Sequence, residues 1–133
     1  MNAHEILAYF QDRQPAILNS IRELVEIESP SFNAGQSTMV AAWVENEARG
    51  IAPHLEIERI PAENCGEHVL IRAFHSDEKA VMLLGHTDTV HPIGTKAKNP
   101  TRIEGDKFYG CGIFDMKANV ILMLEALRFF AEP

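Results

Sequence analysis

Cysteine is scarce in this chain: Cys65 and Cys111 are the only two, far apart and in different contexts. With no CxxC pair, a zinc knuckle or a dithiol redox site is not expected, and both thiols are expected to stay reduced. Basic residues are also short. Twelve Lys and Arg face nineteen Asp and Glu, giving a net charge of −7 with no local Lys/Arg run. Nucleic acid and anionic membrane surfaces both require a basic face, so neither is an expected partner. No apolar run reaches the ~20 residues that cross a bilayer. The first seven residues lack the basic start and apolar core of a secretory signal, so a cytoplasmic location is expected. Internal repeats and low-complexity segments are missing as well.

What remains is the composition of one ordinary soluble domain: 133 residues, 46% apolar and 23% charged. Apolar residues from Ile6 to Val25 recur near every 3.6 positions and predict a helix over about 3–28. Pro15 either kinks this helix or splits it near Asp12, and Ser29-Pro30-Ser31 ends it. A second helix is predicted over about 36–49, stopped by Gly50. The period then changes to that of strands. Leu55 to Ile60 and His68 to Phe74 flank a turn over Pro61–Gly66. Ala80–Gly85 is a continuous apolar run, the pattern of a strand buried on both faces. A hairpin follows, Thr101–Ile103 and Lys107–Tyr109 around Gly105-Asp106. The chain finishes in a strongly apolar helix over Met116–Phe130.

Two short elements carry chemistry. Gly85-His86-Thr87-Asp88 stands at the exit of the most apolar strand, where α/β folds commonly place polar function. Alternation puts His86 and Asp88 on the same side. A neutral imidazole binds metal through one nitrogen, and its other N–H then needs an acceptor, commonly a carboxylate. Asp88 either fills that role or stands on the metal side of the pocket. The bland alternative is a strand-end histidine followed by an Asp88-Thr89 turn. The second element is Gly110-Cys111-Gly112-Ile113-Phe114-Asp115-Met116-Lys117. Alone, Asp115 reads as a helix N-cap; its functional reading is a carboxylate bridging two cations. A dinucleotide-binding loop fits poorly, because the third glycine is missing and the motif lies late, behind a hairpin.

Taken together, Leu83 to Val90 and the Gly105–Lys117 stretch, with Asp115 placed 29 residues after His86, resemble the aminoacylase, acetylornithine deacetylase and succinyl-diaminopimelate desuccinylase family. The Asp88-Thr89-Val90 context looks most like its glutamate carboxypeptidase branch. The resemblance extends over nearly the whole chain. It implies an α/β fold, a mixed sheet layered with helices, as the N-terminal portion (residues 1–133) of a catalytic domain into which a dimerisation domain is inserted. It implies that His86 binds one zinc ion, that Asp115 bridges two (cobalt or manganese being alternatives), and that Asp88 is catalytic. It implies an acyl-amino acid or peptide substrate, with homodimers expected only of the full-length protein. Two departures stand out. Cys111 replaces an arginine or other polar residue, and Ala118-Asn119 replaces a glycine after Asp-Met-Lys.

The same resemblance assigns the general base and the remaining ligands to a Glu-Glu pair, a later acidic residue and a distant histidine, none of which occurs here. Glu104 and Asp106 read as hairpin surface and Glu125 as a solvated helix position. His4, His54, His68 and His75 read as partnerless, and His91 as a loop residue. The expected function is therefore metal-dependent amide hydrolysis of the carboxypeptidase or deacylase type, in a fragment inactive alone. The rival expectation is a non-catalytic α/β binding or assembly module, recognisable by an exposed apolar patch around Leu122, Leu127 and Phe129.

Overall fold

A computed structural model describes residues 2–131. The order is α1 (Ala3–Glu26), α2 (Ala34–Arg49), β1 (Glu56–Ala62), β2 (Gly66–Arg72), α3 (Thr95–Lys98), β3 (Arg102–Glu104), β4 (Lys107–Tyr109) and α4 (Ala118–Ala131). A wide, irregular turn, Ile113–Lys117, leads into α4. The α/β class is as expected. The strands form two small antiparallel sheets, β1 with β2 and β3 with β4. No helix among the described residues is long and apolar enough to cross a membrane.

Helix α1 begins with a reciprocal cap. The Asn2 side chain accepts from the His4 and Glu5 amides, and the Glu5 carboxylate accepts from the Asn2 amide. Pro15 lies inside one unbroken helix. It removes a donor from the Gln11 carbonyl, but both residues are exposed, so the loss falls on the solvent side of the helix. The apolar stripe of α1 (Ile17, Ile21, Leu24, Val25) packs with Val40, Val44 and Ala48 of α2 and Val120, Ile121 and Leu124 of α4 into one core. Helix α2 ends near Gly50 as expected, though Gly50 keeps right-handed helical angles, φ −72° and ψ −10°. Its N–H still closes on the Asn46 and Glu47 carbonyls.

Buried charges tie the helices together. Glu125, read from sequence as solvated, is 2% exposed. Its two carboxylate oxygens accept from Arg13 Nε at 2.5 Å and Nη2 at 2.9 Å, and Arg128 Nε adds a third contact at 3.2 Å. The correction has a simple cause: Arg13 stands 112 positions away in sequence, and only the fold brings it to α4. Arg128 also reaches Glu47 and the Gly50 carbonyl on α2.

The largest departure from expectation is Ala80–Gly85. This run forms no strand, and Val81, Met82, Leu83 and Leu84 are all exposed. It lies in an open groove whose lining includes Val69 and Ile71 of β2 and Val120, Met123 and Leu127 of α4. A buried strand needs neighbours on both edges to pair its N–H and C=O groups. Among the described residues none pairs with it, and only Thr89, beyond its end, makes a bridge, to Pro30. The patch expected around Leu122, Leu127 and Phe129 is only partly open: Leu122 is half exposed, while Leu127 and Phe129 are partly buried.

Candidate metal centre

The site is assembled by two loops leaning on the end of α1. The first is Ser29-Pro30-Ser31. The Thr89 amide donates to the Ser29 carbonyl at 2.8 Å, and the Ser31 amide donates to the Thr89 carbonyl at 3.0 Å. The Ser29 hydroxyl donates to the Thr87 carbonyl at 2.7 Å. These bonds hold residues 87–89 extended, so His86 and Asp88 emerge on the same side, as alternation requires. Further along, the Glu28 carboxylate accepts from the Gly94 and Lys96 amides, both at 2.9 Å, which pins the start of α3 to the end of α1. Those amides hold the Glu28 carboxyl below its ordinary range.

The second loop is Gly110–Lys117. Gly112 has φ +78°, and a Cβ there would lie 2.4 Å from the Thr89 methyl. Only glycine permits that approach, and it brings the Asp115 backbone beside the His86 segment. Lys117 then locks the loop. This residue is 1% exposed, and its ammonium donates to the Ile27 carbonyl at 2.6 Å and the Leu24 carbonyl at 3.2 Å. It thus caps the carbonyl end of α1, where a cation is favoured by the helix dipole, and α1 stops at Glu26 rather than 28. Burial pushes the Lys117 amine down to about 8. The sequence reading missed this role; a lysine one position before an apolar helix was the available signal.

His86 stands between two carboxylates. Its Nε2 lies 3.1 Å from Asp115 Oδ1. Its Nδ1 lies 3.2 Å from Asp88 Oδ1 and 3.2 Å from the Asp88 carbonyl oxygen. All three sequence-predicted site residues are therefore adjacent. Asp115 is no N-cap of α4: that helix begins three residues later, at Ala118, and the Asp115 carboxylate turns to His86. The Asp115–Met116 peptide is cis. His91 lines a shallow cleft with Thr89, Phe114 and Asp115. His75 has a partner after all, Glu56 Oε1 at 3.5 Å. Glu104 sits on the hairpin surface beside Arg102, as expected. Both cysteines are free thiols, Cys65 exposed and Cys111 buried.

The donors suit a divalent cation. Two ligands on a tetrahedral zinc ion, each at about 2.0–2.1 Å, are separated by about 3.3 Å, and the 3.1 Å gap between His86 Nε2 and Asp115 Oδ1 is close to that. An imidazole with a carboxylate is also a donor pair that zinc accepts. The Asp88 carbonyl oxygen is an acceptor for a proton on Nδ1, with the Asp88 carboxylate beside it, and the tautomer that carries its proton there has the Nε2 lone pair free to ligate. The set is partial: among the described residues, no three His, Cys, Asp or Glu side chains converge to hold an ion.

Comparison with known proteins bears on the family. A family model described as peptidase family M20/M25/M40 matches residues 82–133. Carboxypeptidase G2 of Pseudomonas sp. (strain RS-16) is 30% identical over 121 residues, covering 91% of this chain and 29% of that protein. Succinyl-diaminopimelate desuccinylase of Corynebacterium glutamicum is 35% identical over 111 residues, 83% of this chain and 27% of that protein. Acetylornithine deacetylase of Photorhabdus laumondii is 30% identical over 125 residues, 86% and 31%. The chain thus spans less than a third of the length of these curated relatives.

Proposed function

Since this chain belongs to peptidase family M20/M25/M40, we propose that it contributes His86 and Asp115 to a divalent-metal centre for amide hydrolysis, with zinc as the metal. Cobalt and manganese are the alternatives that the same donors accept. The observation that carries this reading is the 3.1 Å approach of two side chains 29 residues apart, one directly after the Ala80–Gly85 run and one on the Gly110–Lys117 loop. His86 would be a terminal ligand and Asp115 a carboxylate shared between two ions. When bound, such ions supply Lewis acidity toward an amide carbonyl and a water molecule.

The chain's own residues orient and bind. Asp88 keeps the His86 ring turned so that Nε2 faces Asp115. The names of the matched relatives denote a carboxypeptidase, a desuccinylase and a deacetylase. Carried to this chain, they give an acyl-amino acid or a C-terminal peptide bond as the substrate class. Residues 1–133 would be the N-terminal portion of the catalytic domain, and the general base, the remaining ligands and a dimerisation domain would come from further polypeptide. The unpaired Ala80–Gly85 run supports that division, because it has the composition of a central strand and lacks its neighbours. On this reading the chain alone does not turn over substrate, and its setting is cytoplasmic.

The test is a chimera in which this chain replaces the matched part of carboxypeptidase G2. Metal-dependent hydrolysis of a peptide or acyl-amino acid is expected, with a loss of at least about 100-fold on His86→Ala or Asp115→Ala. A folded, active chimera indifferent to both substitutions would overturn the proposal. The same exposed run also supports a second reading, a non-catalytic assembly module. Cooperative thermal unfolding of the chain without metal, together with an inactive but folded chimera, would favour it.

A further inference from the structure

We propose that Ser31 is a positioning residue of this centre: through its hydroxyl it holds the Asp88 carboxylate turned toward His86, and so biases the imidazole tautomer. The inference rests on the metal-centre reading above. The Ser31 Oγ donates to Asp88 Oδ2 at 2.5 Å. The other carboxylate oxygen, Oδ1, is the one 3.2 Å from His86 Nδ1. A carboxylate with one oxygen engaged by a short hydroxyl bond resists rotation, because turning would break a charge-assisted contact. Ser31 is itself held, since its amide donates to the Thr89 carbonyl at 3.0 Å. The result is a line of contacts from Ser31 through Asp88 and His86 to Asp115.

The tautomer matters because two acidic groups compete for one ring proton. Asp115 at Nε2 favours the proton there, which blocks ligation. At Nδ1 the Asp88 carbonyl oxygen is the hydrogen-bond acceptor, and the negative charge of the Asp88 carboxylate 3.2 Å away further favours the proton there, which leaves Nε2 free to ligate. Loosening Asp88 shifts this balance toward Asp115. A serine that only braced the loop would leave the balance unchanged.

The experiment follows the His86 ring by long-range nitrogen–proton correlation NMR on the metal-free 133-residue chain, at a pH where the imidazole is neutral. Ser31→Ala is expected to lower the Nδ1–H population measurably and to weaken Zn²⁺ binding by up to about tenfold, the low end for outer partners of a ligating histidine. Ser31→Thr, which keeps the hydroxyl, is expected to restore both. A retained slow-exchanging Thr89 amide shows that the loop is intact in each variant. An unchanged tautomer ratio in folded Ser31→Ala, or a Ser31→Thr variant that behaves like it, overturns the proposal. Should Zn²⁺ binding prove independent of His86 and Asp115, the metal reading fails, while the tautomer measurement still decides the role of Ser31.

Discussion

Val120, Ile121 and Leu124 on α4 are at most 8% exposed, whereas Val81, Met82, Leu83 and Leu84, an equally apolar run, are between 55% and 88% exposed. A helix satisfies its own backbone hydrogen bonds and needs one covered face. For α4 that cover comes from α1 and α2. A central strand needs two paired edges and two covered faces, and the described residues supply Ala80–Gly85 with neither. Fully burying one such side chain is worth about 1.5–3 kcal/mol. The four together leave unrealised a sum comparable with the whole stability of a small domain, about 5–15 kcal/mol. The site lies where the two regions meet. His86 directly follows the bare run, while Asp115 sits on the loop that Lys117 pins to the helical core.

The strongest way to break the comparison is a pair of truncations. Leu24 is 0% exposed, and Leu24→Ala is expected to cost about 2–5 kcal/mol in urea unfolding. Leu84→Ala in the same chain should cost no more than about 0.5 kcal/mol, as at other surface positions. Equal losses at the two positions would mean that the run is buried in solution.

Smaller effects sharpen how the helical side is held. Arg13→Ala leaves buried Glu125 with Arg128 alone and is expected to cost about 1–3 kcal/mol, less than a wholly buried pair because the Arg13 side chain is 26% exposed. Burial alone would raise the Glu125 carboxyl, but Arg13 and Arg128 more than offset this and hold it below its ordinary value. The folded state therefore favours the ionised form. That contribution is full above the ordinary carboxylate range and is lost as pH falls through it and through the lowered folded value. Glu125→Gln should accordingly flatten the acid limb of stability, read by urea unfolding stepped from neutral to about pH 3. An unaltered acid limb would remove Glu125 from the account.

The finest effect is local. Hydrogen exchange should find the amides of residues 81–85 close to unprotected and those of Ile121 and Leu124 strongly protected. Thr89, bonded to the Ser29 carbonyl, should fall between them. Protection across 81–85 that matched the helices would show a sheet formed within the chain itself.

These contrasts also explain how far the sequence could be read. The helices were legible because their stripes repeat locally, and the hairpin at Gly105-Asp106 because turn chemistry is local too. His86, Asp88 and Asp115 were legible as a set, since two motifs at a fixed spacing constrain each other more than either does alone. Gly112 belonged to the quoted motif, but its reason, a 2.4 Å approach to Thr89, needed coordinates. Glu125 was misread because its partner Arg13 is distant in sequence. Ala80–Gly85 was read as buried from a pattern that records what a strand needs, not whether its neighbours are present. Lys117 and Ser31 escaped notice because their partners are a backbone carbonyl and a carboxylate across the fold.

The metal centre proposed for this chain requires His86 and Asp115 to act together toward a cation. Zn²⁺ titration of the 133-residue chain by calorimetry, run beside His86→Ala and Asp115→Ala, tests it most directly. The expected result is weak but measurable binding that either substitution reduces by at least about tenfold. Identical affinities in all three proteins would contradict it.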